Sequence, residues 1–127
     1  MNELKIQSFL TMLSKNLQEY EEEYDLYFGN MIVRYGSKMA SFSEISFFDE
    51  NPLDAFYDAD CSIEEFLDDP ETDVELIFIC EGSIYEKLYY KAGTNEECSK
   101  LYNAFVDAAS ENGFYMDFGG GRLLFYS

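Results

Sequence analysis

Near the N-terminus apolar residues recur at helical spacing: Leu4 or Ile6, then Phe9, Leu10, Leu13, Leu17, Tyr20 and Tyr24 share one face. This predicts a helix over about residues 2–22. The following "EYEEEYDLYF" either extends the helix to a C-cap at Gly29 or turns into a strand at 24–28. Gly29-Asn30 lies between two β-rich runs, which is a hairpin signal, and "KMASFSEISFF" alternates in part, so a first sheet segment is expected over about 24–48.

The texture then changes. Asn51-Pro52 has the form of a helix start, with Asn as N-cap, Pro at the first helical position and Asp54 in the first turn. Ser62 and Glu65 have capping-box spacing for a second short helix, "IEEFLDD", which Pro70 ends. Phe56, Ile63, Phe66 and Leu67 are the apolar residues able to tie this pair to a core. "DVELIFIC" is the clearest strand, "EGS" reads as a turn and "IYEKLYYKAG" as the returning hairpin strand. "TNEECSKLYNAFVDAASENG" reads as a helix with a Thr94/Glu97 capping box, a buried face of Cys98, Leu101, Tyr102, Phe105, Val106 and Ala109, and Gly113 as its stop. "FYMDFGGGRLLFYS" reads as two strands around Gly119–Gly121.

These elements predict an α+β fold. The expected architecture is a single domain over 1–127 with an antiparallel sheet built from sequential hairpins. It has an N-terminal helix, an acidic helical insertion at about 49–73, and a helix near 95–112. The length of 127 residues and the 23 Phe and Tyr side chains suit one packed core. No apolar run approaches the roughly 18 residues that span a bilayer, and no membrane partner is expected.

Charge sharpens this picture. The net charge is −18. Residues 39–86 carry fifteen acids and no base, whereas the flanking segments are nearly balanced. Such a chain repels the phosphates of nucleic acid and of anionic membranes and attracts basic proteins. Asp54/Asp58, Asp60/Glu64, Glu64/Asp68 and Glu65/Asp69 stand four apart, so on helices they form a ridge with neighbours about 5–6 Å apart. The residues expected to face a partner are Asp54, Tyr57, Asp58, Asp60, Glu64, Glu65, Asp68, Asp69, Glu71 and Asp73.

Candidate chemistry is thin. Histidine is absent, which removes the commonest general base and transition-metal ligand. Cys61, Cys80 and Cys98 are odd in number and widely spaced, which argues against a disulfide framework or a C-x-x-C motif. Asp58, Asp60, Ser62, Glu64 and Asp69 match EF-hand loop positions, but Ile63 stands where the loop needs Gly and Asp69 where it needs Glu. "GGGR" at 119–122 lacks the following helix of a phosphate loop. Adjacent carboxylates such as Glu64/Glu65 do not face one another on a helix. No catalytic residue, metal or cofactor is therefore assigned.

In charge, size and lack of catalytic residues the chain resembles the small acidic DNA-mimic inhibitors of phages and mobile elements, anti-CRISPR proteins among them. The resemblance implies a non-enzymatic inhibitor in the cytoplasm of a bacterial host cell. Its partner would be a basic nucleic-acid-binding effector or nuclease, with no direct nucleic-acid contact and no assigned oligomeric state. The alternatives are an immunity protein that neutralises a toxin nuclease and a non-catalytic acidic adaptor domain.

Overall fold

The computed structural model describes residues 3–24, 28, 30–45, 51–80, 82–89 and 94–127. Helix α1 (Glu3–Tyr24) buries Ile6, Phe9, Leu10, Leu13, Leu17 and Tyr20, as the stripe requires. The stripe begins at Ile6, because Leu4 is 74% exposed. The expected hairpin turn at Gly29-Asn30 falls partly outside the described residues. The observed hairpin lies one step later, joining β1 (Ile32–Tyr35) to β2 (Lys38–Ser41). Gly36 takes φ +54° in its turn, a conformation that glycine adopts without Cβ strain. β2 stops at Ser41, and residues 46–48 of the expected sheet segment lie outside the described residues. Phe42 N–H donates to Met31 O at 2.8 Å and a 3-10 turn, Phe42–Glu44, comes next.

The expected acidic helix pair is only half present. Asn51 does cap, accepting from Leu53 N–H, but it caps a single 3-10 turn at Pro52–Ala55. Phe56 then drops into the core against Tyr35, with ring centroids 4.9 Å apart. That anchor forces the chain into extended form, and β3 (Tyr57–Asp58) pairs antiparallel with β2. Ser62 caps α2 (Ile63–Leu67), as its spacing predicts, by accepting from Glu65 N–H. Asp68 closes α2 in the left-handed region, at φ 55°.

β4 (Val74–Ile79) is the strand expected of "DVELIFIC". The next element differs from the sequence expectation: α3 (Gly82–Tyr89) is a helix, not a hairpin strand. β4 already has β1 on one side and β6 (Arg122–Tyr126) on the other, so no sheet position remains beside it. The segment instead buries Ile84 and Leu88, four apart, while Tyr85 and Tyr89 stack at 5.5 Å. α4 (Glu96–Glu111) occupies the expected span, but its N-cap is Asn95, whose side chain accepts from Cys98 N–H, rather than Thr94. β5 (Tyr115–Gly119) and β6 form the expected last hairpin through Gly120 and Gly121, both at positive φ as a two-residue I′-like turn requires.

The strands form one six-stranded antiparallel sheet in the order β3-β2-β1-β4-β6-β5, with the α+β class expected. One row of side chains, Ala40, Val33, Phe78, Leu123 and Phe118, runs across the face that α1 and α4 cover. Phe9 is central to this core, 6.1 Å from Phe78, 5.4 Å from Phe114 and 4.9 Å from Phe125. Among the described residues no helix is long and apolar enough to cross a membrane.

Candidate protein-interaction surface

The acidic segment winds around the β3 edge of the sheet. It starts on the helix-covered face, where Leu53 and Phe56 join the main core. It passes along the edge as β3, where Ala59 N–H donates to Ser37 O and Ile63 N–H to Gly36 O. It ends over the opposite face, where α2 lies on the sheet. Ile63 and Ile77 are buried there outside the main core cluster, so they form a small second core.

That second core contains both arginines of the chain. Register places Arg34 in a row with Met39, Ile77, Leu124 and Asp117, and Arg122 opposite Ile79. Both guanidiniums lie over the Phe66 ring, with Arg34 Cζ 4.4 Å and Arg122 Cζ 5.0 Å from its centroid. Arg34 Nη2 also donates to Cys61 O at 2.5 Å. Ring faces attract cations, most strongly away from water. α2 is thus attached from below by two cations from distant parts of the chain.

All ten residues expected to face a partner are exposed: Asp54, Tyr57, Asp58, Asp60, Glu64, Glu65, Asp68, Asp69, Glu71 and Asp73. None of the nine carboxylates forms a salt bridge among the described residues; the pairs found there are Lys87–Glu97, Lys100–Glu23 and Lys100–Glu96. Asp58 lies opposite Lys38 in the β2–β3 register, which tempers the local charge at that point. Glu65 accepts from Ser62 Oγ and Asp69 accepts from Glu71 N–H, which fixes two of the carboxylates.

The expected helical ridge does not form. Asp54 sits in the 3-10 turn, Asp58 is on a strand, Asp60 precedes α2, and Asp68 leaves the helix at its C-cap, so only Glu64 and Glu65 of the ridge are α-helical. The acids form an arc around a sheet edge instead. Its curvature comes from two anchors on opposite faces, Phe56 and Phe66. The five EF-hand-like positions fall on this strand–turn–helix path. No cluster of three or more metal-ligating side chains occurs among the described residues.

Elsewhere, α1 and α4 border a shallow groove of about 750 Å³ whose charged lining is Lys15, Glu19, Asp107 and Glu111. Tyr20 is buried between these helices and donates to Glu97 at 3.3 Å, with Lys87 on the same carboxylate at 3.1 Å. Burial, and then the Glu97 charge, push the Tyr20 hydroxyl well above the ordinary tyrosine range. Burial alone pushes the Cys80 thiol up to about 12. No protein-family model, curated protein or solved structure matches the chain.

Proposed function

We propose that this protein is an inhibitor that occupies the phosphate-binding surface of a basic, nucleic-acid-binding protein. The observation that carries the reading is the arc at 54–73, where nine exposed carboxylates have no salt-bridge partner among the described residues on a backbone pinned at both faces of the sheet. Like charges so held cost folding energy, and a basic partner relieves that cost. Arginine forks pair with carboxylates as they do with phosphates. Long-range attraction speeds the encounter and weakens with salt. Tyr57, 52% exposed on the edge strand, adds an aromatic contact of the kind enriched at interfaces. On this reading the protein acts without catalysis, and the arc mimics a backbone by its curved path rather than by a straight helical ridge.

The test is capture of partners from host lysate at low salt, then elution with rising salt and, in parallel, with duplex or single-stranded oligonucleotides. Nucleic-acid-binding proteins released by both routes support the reading. The variant D58K/E64K/E65K/D68K is expected to lose capture. Salt-insensitive partners, or capture unchanged in that variant, count against it.

A further inference from the structure

Arg34 is 4% exposed, yet no carboxylate among the described residues lies within ion-pairing distance of its guanidinium. Its Nε has no hydrogen-bond partner among those residues. A buried cation without an anion is costly, and the ring of Phe66 and one carbonyl oxygen offset that cost only in part. The remaining group it meets is a sulfur: Nη1 and Nη2 lie 3.8 and 3.7 Å from Cys61 Sγ. Cys61 and Cys80 are both half-buried and Cys98 is buried, but burial holds the Cys80 thiol protonated. Cysteine reactivity rises with access and with a neighbouring cation, and Cys61 is the cysteine that combines the two.

We infer that Cys61 is an oxidation site at which a peroxide generates an anion beside the buried guanidinium of Arg34, which has none among the described residues. In the first step the sulfur attacks one peroxide oxygen. An S–O bond forms, the O–O bond breaks and water leaves with the thiol proton, so sulfur is oxidised to the sulfenic acid as peroxide is reduced. A second peroxide repeats the transfer and gives the sulfinic acid, which releases its proton to water. The sulfinate oxygens then stand within reach of Arg34 Nη1 and Nη2 in a paired, bidentate arrangement. The modification strengthens the attachment of the 61–67 segment to the sheet, in contrast to oxidation within an apolar core, which loosens it.

The test treats the full chain with limiting hydrogen peroxide, maps the added oxygen by peptide mass spectrometry and tracks Tm. Cys61 is expected to take up oxygen about tenfold or more ahead of Cys80 and Cys98. The sulfinate form is expected to melt roughly 3–5 °C higher than the thiol form. C61D, which supplies a carboxylate without oxidation, is expected to raise Tm in the same direction, and R34Q to abolish both rises. Oxygen appearing first on Cys80 or Cys98 overturns the inference, as does a sulfinate at Cys61 that leaves Tm unchanged or lower. The selectivity and the C61D shift are read with Arg34 intact, so they decide the matter even where R34Q does not fold.

Discussion

Replacing Phe66 tests the attachment of α2 with the least disturbance to the main core. Its ring meets both Arg34 and Arg122, whose Cζ atoms lie 4.4 and 5.0 Å from the ring centroid. Cation–π contacts contribute about 0.5–1 kcal/mol when exposed and about 2 when desolvated. Arg34 is buried and Arg122 half-buried, so together the two contacts contribute about 2–3 kcal/mol on these magnitudes. Phe66→Leu keeps most of the apolar volume and loses the ring face. Its expected cost is about 2 kcal/mol, seen as a lower urea midpoint at unchanged m-value and a Tm drop of roughly 6–10 °C. Phe66→Ala also loses half-buried area and is expected to cost about 3–4 kcal/mol. A cycle of Phe66→Leu with Arg122→Met isolates the more exposed of the two cation–ring contacts, with an expected coupling of about 1 kcal/mol. A Phe66→Leu variant within about 0.5 kcal/mol of the parent, or a coupling below that value, refutes the cation–ring contacts as the attachment.

The caps and buried hydroxyls give further outcomes. Asn95→Ala removes the acceptor for Cys98 N–H at the start of α4 and is expected to cost about 1 kcal/mol in urea denaturation. Tyr20 has its folded-state hydroxyl raised above the unfolded value, first by burial and then by Glu97. The neutral form is favoured in the fold, so its contribution is complete below about pH 10 and declines as pH rises above that. Urea midpoints between about pH 8 and 11 are therefore expected to fall, and Tyr20→Phe to flatten part of the decline. The Cys80 thiol, raised by burial, and the Tyr24 and Tyr35 hydroxyls, raised first by burial and then by Glu23 and Glu3 respectively, contribute to the same decline.

Much of the fold is legible in local patterns. The α1 stripe, the Ser62 cap of α2, β4, α4 and the last hairpin all arise from periodicity and caps that act within a few residues. "IYEKLYYKAG" misleads because short aromatic runs fit either period, and the choice between helix and strand rests on whether β4 has a free neighbour. The shift of the α4 cap from Thr94 to Asn95 is a one-residue competition between two good caps.

Composition and charge order along the chain determined that residues 54–73 display carboxylates, and the nine carboxylates expected to face a partner are exposed for the elementary reason that unpaired charges stay in water. Tertiary structure decided what those carboxylates look like to a partner. Phe56 seeks the core under α1 and Phe66 seeks the cations on the opposite face, so the segment must bend around the sheet edge, and a straight helical ridge becomes an arc. The apparent absence of bases across residues 39–86 is likewise a property of sequence alone. Antiparallel register brings Arg34 and Arg122 beneath α2 and Lys38 beside Asp58, because strand pairing joins residues by hydrogen-bond geometry and not by their distance along the chain.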